Sequence, residues 1–240
     1  MENWILICVI VAVFIIVIVL IFGLKNLGPI IRNAINKYGP DITKTDVCIG
    51  DISVSLLSAQ AELTDFYLGN PEGFKSPQAM NVESIQLDVD KSSMTGDTII
   101  INNIEVVAPE ITYERAGGTD NFKTILKNVK NDVISYDTDS KGPSNEKTGK
   151  KILIKNFIVR DGKVNIVIPF LDGKSLSAPL PDIHLKDLGK EKGGISPSEA
   201  FKEIFTALYE KITSPAITDI LDKGLKSLTP LVGLINTLHI

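Results

Sequence analysis

From Trp4 to Leu24 the chain reads WILICVIVAVFIIVIVLIFGL, an unbroken apolar run without a charged side chain. About 20 such residues cover the hydrocarbon thickness of a bilayer. A soluble helix of this length would carry a polar face, and a cleaved leader would need a basic start and a small-residue cleavage site. Neither is present, since Glu2 is the only early charge and no Ala-x-Ala follows. The pattern predicts a transmembrane anchor over 4–24, bounded by Trp4 and Leu24, behind a short tail of residues 1–3. Residues 25–40 should follow as a juxtamembrane helix. There Ile31, Ala34, Ile35 and Tyr38 recur at helical spacing, and the Gly39-Pro40 pair is expected to end the run.

Between Thr43 and Tyr113 the pattern becomes β-like, rich in Val, Ile and Thr and broken by the turn cluster Gly69-Asn-Pro-Glu-Gly73. Helical spacing returns at Phe122, Ile125, Leu126, Val129 and Val133, with Asp120 or Asn121 as N-cap. Residues 136–150 hold no aliphatic side chain and read as a flexible linker. Asp161-Gly162 and Asp172-Gly173 then separate apolar runs, and this dipeptide tolerates the positive φ of hairpin turns, so a β-meander is expected. Ser196-Pro-Ser-Glu199, Ser214-Pro215 and Thr229-Pro230 place capping residues and prolines where helices begin. Residues 196–240 therefore read as amphipathic C-terminal helices. The expected class is α+β, mainly β, with one domain over 41–240.

One pattern recurs five times: apolar, any, apolar, polar or small, Asp or Asn, apolar. The copies are Val47–Ile52, Ala61–Phe66, Ile99–Ile104, Ile152–Phe157 and Ile183–Leu188. Apolar positions before and after the Asp or Asn have opposite parity, so a regular strand would switch faces midway. A β-bulge restores the face while bending the strand; a corner between two sheets would do the same. Both imply curved β units packed in series. At Ile99–Ile101 and Ile152–Ile154 three consecutive residues are apolar, so both faces need a cover. One reading covers them with the core and with Phe201, Ile204, Phe205, Leu208 and Ile212 of the C-terminal helices. The other is an open groove for lipid acyl chains, lined by Ile99, Ile101, Ile104, Val106, Ile152, Ile154, Phe157 and Val159.

Composition narrows the chemistry. There are 25 Lys and Arg against 29 Asp and Glu, a net charge of −4, without the basic face that nucleic acid requires. Cys8 lies in the apolar run and Cys48 at the start of the domain, which precludes a disulfide framework within the chain. The two histidines, His184 and His239, form no nucleophile–base arrangement with Ser or Cys; His184 reads as a surface strand residue and His239 as a solvated end. The acidic residues are scattered rather than clustered for a metal, and no phosphate-binding glycine motif occurs. No enzyme, cofactor or metal site is expected.

The stretch SVSLLSAQAELTDFYLGNPEGFKSP, then IQLDVDKSSM, then IIINNIEVVAPEITYE with the Asn121 that opens a helix, resembles the N-terminal region of bacterial AsmA-like proteins. KKILIKNFIVRDGKVNI and APLPDIHLKDLGKEKGG look like its continuation in short members. The resemblance implies a single-pass protein of the bacterial inner membrane, its bulk in the periplasm, acting in envelope or outer-membrane biogenesis. Larger relatives conduct phospholipid along a β-groove between membranes, a distance one small domain does not bridge. Lys25, Arg32 and Lys37 after the apolar run would by themselves favour a cytoplasmic domain; the resemblance is followed here. The two functions in view are a lipid-handling module with groove-bound phospholipid and a membrane-tethered scaffold with a filled core binding a protein partner.

Overall fold

Alternating apolar positions dominate the chain from Val47 onward, and strands dominate the structure. The computed structural model describes residues 27–138, 150–167, 175–219 and 223. The anchor and tail predicted over 1–24, residues 139–149 of the linker, Asp172-Gly173, Thr229-Pro230 and His239 lie outside these. Among the described residues no helix is long and apolar enough to cross a membrane.

The elements are α1 (Leu27–Thr43), β1 (Val47–Cys48), β2 (Asp51–Ser55), β3 (Gln60–Gly69), β4 (Gln78–Val89), β5 (Thr98–Val107), β6 (Glu110–Ala116), β7 (Thr119–Asp120), α2 (Asn121–Thr138), β8 (Lys151–Arg160), β9 (Lys163–Val167), β10 (Ser175–Pro179), β11 (Ile183–Leu188) and α3 (Pro197–Ile212). The strands form one open, mainly antiparallel sheet. Its organisation is simplest when β5–β6, β8–β9 and β10–β11 are taken as three bent ribbons. Strand β4 pairs antiparallel with β5 (Ser84↔Val107) and, on the same register, with β6 (Asn81↔Glu110). The ribbons β5–β6 and β8–β9 run parallel in one register from Thr98↔Lys151 to Glu114↔Val167. The third ribbon pairs antiparallel with the second, from Ser175↔Val167 to Leu188↔Ile154.

The ribbons bend together. Ala108 (φ 51°) and Asp161 (φ 57°) lie side by side in the left-handed region, with Ala108 N–H donating to Arg160 O at 2.9 Å and Lys163 N–H to Pro109 O at 2.9 Å. Asp161 therefore takes the predicted positive φ and Gly162 does not, and the pair is not a hairpin: β8 and β9 do not pair with each other. Local backbone preference sets the angle of the turn, while the partner strand is chosen by nonlocal packing. The segment around Asp172-Gly173 behaves as expected at its flanks, because β9 and β10 do pair antiparallel.

The parity switch of the repeated pattern is made in three ways. Between β4 and β5 the register shifts after Asp88↔Asn103 to Val89↔Ile101, leaving Asn102 as an extra residue, a β-bulge. In β3 and β11 the register continues, and Asp65 (φ 54°) and Asp187 (φ 57°) turn the strand through the left-handed region. In the first copy β1 and β2 are interrupted at Ile49-Gly50. Every solution returns apolar residues to the same face.

That face is covered by helices. Asp120 caps α2, its carboxylate accepting from Lys123 N–H at 2.7 Å, and Phe122, Ile125, Leu126 and Val129 point into the core. Helix α2 extends to Thr138, so residues 136–138 of the predicted linker are helical. Ser196 caps α3 in a reciprocal capping box with Glu199, Pro197 occupying the first turn, and residues 215–219 restart a helix as Ser214-Pro215 predicts. Helix α1 runs past Gly39-Pro40 to Thr43. A proline one turn from a helix end removes only one hydrogen bond, and the end is closed by Lys44 N–H on Pro40 O (2.9 Å) and Thr43 Oγ1 on Gly39 O (3.0 Å). Gly28 is needed at the other end, where a Cβ would stand 1.9 Å from Ile52 O.

Candidate functional site

The eight proposed groove residues come together as four cross-strand pairs on neighbouring parallel strands: Ile99↔Ile152, Ile101↔Ile154, Ile104↔Phe157 and Val106↔Val159. The bulge at Asn102 puts all of them on the inner face of the bent sheet. Ile101, Val106, Ile154, Phe157 and Val159 are buried, and Ile99, Ile104 and Ile152 are half-buried against the same core. The apolar surface continues through Ile111, Val164 and Ile166 into the other half of the sheet.

The inner face is occupied by side chains of the chain itself. Phe205 (buried) stacks between Phe122 at 5.0 Å and Phe201 at 5.3 Å, joining α3 to α2. Leu208, Ile212 and Ile217 are buried beside it, and Phe201 and Ile204 are half-buried on the same core. Apolar area of this extent contributes roughly 25 cal/mol per Å² removed from water, so the helices hold the face firmly. The groove lining is thus a filled core, not an open channel, in this structure. Ile100 and Leu153, the middle residues of the two apolar triplets, are half-buried on the opposite face.

A second assembly was visible in the sequence only as motif residues. Fully buried Asn121 donates through Nδ2 to Asn70 Oδ1 and Thr112 O, both at 2.7 Å, and accepts from Glu114 N–H at 3.1 Å. The buried Glu114 carboxylate accepts from Lys75 N–H (2.7 Å) and Ser76 N–H (2.8 Å). Burial pushes the Glu114 pKa up, but these backbone donors outweigh it and hold the carboxyl below its ordinary value. Nearby, Tyr209 Oη of α3 donates to Asp120 Oδ2 at 3.0 Å. Burial and the Asp120 charge push the Tyr113 phenol up, and burial and the hydrogen bond to Asp120 do the same for Tyr209. Both phenols stay protonated, and Tyr209 serves as a donor. The network is a latch tying the turn at 70–76, β6, α2 and α3 together; it presents no nucleophile paired with a base. Among the described residues no buried side-chain polar atom lacks a partner, and no cluster of His, Cys, Asp and Glu could hold a metal.

The outer face is polar. A shallow cleft of about 540 Å³ is lined by Ser53, Ser55, Gln60, Glu62, Gln86, Asp88 and Asn103 beside short apolar segments. Next to it Asn156 Nδ2 donates to Asn102 O (3.1 Å), Lys155 Nζ to Asn102 Oδ1 (2.8 Å), and exposed His184 Nε2 contacts Asn156 Oδ1 at 3.0 Å. His184 is the surface strand residue its pattern predicts. Cys48 is exposed on β1.

Two motifs that carry the resemblance, Leu68–Phe74 and Ala108–Glu114, thus meet at Asn121. The family model described as the AsmA family matches residues 2–178, most of the chain. The chain belongs to the AsmA family. Its members are generally associated with the cell envelope. None of the curated proteins matches this AsmA chain. The match runs from the apolar N-terminal stretch into β10, so it includes α1, α2 and β1–β9, and stops before β11 and α3.

Proposed function

We propose that this AsmA-family chain is a non-catalytic protein of the bacterial inner membrane, anchored by Trp4–Leu24, with its domain in the periplasm, that handles lipid in envelope biogenesis. The observation that carries this reading is the unbroken apolar inner face, continuous across the bend from Ile99 and Ile152 to Ile166. Such a surface suits acyl chains, and the polar outer cleft does not. Helices α2 and α3 stand where acyl chains would lie, so lipid would enter by displacing α3, which hangs on the latch through the Tyr209–Asp120 hydrogen bond and the Phe205 stack. The half-buried seam of Ile99, Ile104, Ile152, Phe201 and Ile204 is the entry.

A second reading, a membrane-tethered scaffold that binds a protein partner, draws support from the same helices, because they already fill the face. The two separate by photocrosslinking. The full chain is reconstituted with phospholipid bearing a diazirine on its acyl chain, and crosslinked peptides are mapped. Lipid handling predicts adducts on the β5, β8 and α3 peptides, reduced in Ile104→Trp. Adducts confined to residues 4–24 reject it and leave the scaffold reading.

A further inference from the structure

Helix α1 runs antiparallel to the edge strands: Gly28 lies against Ile52, Asn36 bonds Ile49 in both directions (Nδ2 to O, 3.3 Å; N–H to Oδ1, 2.8 Å), and Gly39 lies against Val47. The N-terminus of α1 therefore points the same way as the β2–β3 turn at residues 56–59. Leu57, at the tip of that turn, is 90% exposed, and Ile30 and Ile31 on the first turn of α1 are 61% and 40% exposed. Large aliphatic side chains with that exposure, gathered at one end of a molecule, mark a contact surface.

Where the apolar segment ends identifies what they contact. Leu24 is four residues before Gly28, so it lies at most ~14 Å from it. Five residues of strand and turn carry Leu57 about 13–16 Å beyond Ile52, at the level of Gly28 and in the same direction. The tip thus extends as far past the level of Gly28 as four residues of chain can carry Leu24. Charge agrees: exposed Lys91, Lys150 and Lys151 lie at this end, Lys91 Nζ donating to the Leu57 carbonyl and Lys150 Nζ to Met94 O at 2.9 Å. Aspartates 90 and 97 share the β4–β5 turn and offset part of this charge, the Asp90 carboxylate accepting from Ser92 N–H and Oγ.

We propose that this end of the domain is a lipid-docking surface, with Leu57, Ile30 and Ile31 in the interfacial layer of the bilayer and the lysines against lipid phosphates. It rests on the reading of residues 4–24 as a membrane anchor. Seated this way, the sheet stands with β5 and β8 starting at the lipid surface, so the apolar pair Ile99↔Ile152 is the part of the inner face nearest the bilayer.

The test uses the full chain with Cys8→Ser and Cys48→Ser, reconstituted in phosphatidylethanolamine and phosphatidylglycerol vesicles. Single cysteines introduced by Leu57→Cys, Glu72→Cys or Val11→Cys carry an environment-sensitive fluorophore, and lipids bearing a nitroxide on the upper acyl chain serve as quencher. The Leu57 label is expected to shift to the blue and lose emission to the nitroxide, while the Glu72 label, in the turn at the opposite end of β3, keeps a water-like spectrum. A water-like Leu57 label with a quenched Val11 label overturns the docking surface and leaves the anchor intact. An unquenched Val11 label overturns the anchor reading itself. A blue-shifted Leu57 label that the lipid nitroxide leaves unquenched means protein covers the tip, a second copy or a partner, and also overturns the proposal.

Discussion

The two parallel ribbons, β5–β6 and β8–β9, have the same shape from different residues. The pairing between them is interrupted at the same step, Asn102-Asn103 in one and Lys155-Asn156 in the other, and both turn at a left-handed residue four positions beyond an apolar Ile or Phe. At the corner the first ribbon uses Ala108-Pro109 and the second Asp161-Gly162. Aspartate reaches the left-handed region at modest cost, whereas alanine pays roughly 1–2 kcal/mol there. The bend therefore belongs to the pairing of the ribbons, which impose it on whatever residue stands at the corner. The ends differ too. The first ribbon finishes in the buried Glu114 and its latch, and its partner position in the second is Val167, without a clamp.

Several substitutions break or sharpen that comparison. The paired isoleucines at the bulge should differ because Ile154 is 2% exposed and Ile101 9%. Ile154→Ala is expected to cost about 3–4 kcal/mol and Ile101→Ala about 2–3 kcal/mol, read from urea unfolding of the full chain in detergent by circular dichroism. Equal costs would mean that the ribbons share the core evenly.

Glu114→Gln should destabilise by about 1–3 kcal/mol, because two backbone donors lose a charged acceptor. The sign with pH follows from a folded pKa held below the ordinary 4.5. The carboxylate's contribution is fully present above pH 4.5 and is lost as pH falls through the lowered folded value. Acid unfolding of the parent should therefore steepen below pH 4.5, and that component should vanish in Glu114→Gln. Retention of the component in the variant would assign it to other carboxylates.

At the corner, Ala108→Gly should stabilise by up to about 1 kcal/mol by removing the left-handed penalty. Asp161→Gly should gain less, since aspartate tolerates that region; the midpoint of thermal unfolding ranks the two. A larger gain at Asp161 would contradict the view that pairing, rather than residue preference, makes the bend. Last, Lys163→Ala removes the exposed pair with Glu110 (2.6 Å) that bridges the ribbons beyond the corner and should cost under about 0.5 kcal/mol.

Much of this architecture was legible in one chain read by itself. The parity switch at Asp or Asn predicted that strands would bend yet keep one apolar face, and Asn102, Asp65 and Asp187 do this by a bulge or by positive φ. The cap at Ser196 marked its helix to the residue, and of the two candidates Asp120 and Asn121 the structure chose Asp120. The Asp161-Gly162 hairpin failed because a dipeptide specifies φ but cannot specify that β8 will seek β5, far back in the chain. The end predicted at Gly39-Pro40 failed because packing on β1–β2 and the Thr43 hydroxyl outweigh one lost backbone bond. The latch was hidden for the same reason: Asn70, Glu114 and Asn121 are unremarkable polar residues until three segments converge.

The sequence by itself determined the mainly β character, the bends, the helix starts and the eight apolar residues of the inner face, since each follows from the geometry of a few neighbouring residues. Only the tertiary structure decided that those eight form four parallel cross-strand pairs, and chose, between the two readings left open, the cover by Phe205, Leu208 and Ile212 over an open groove. Alternation records which side of a strand is apolar. The apolar stripes of α2 and α3 are legible in the same way, but burial of apolar surface is nondirectional, so which surface each stripe covers depends on where the helices pack.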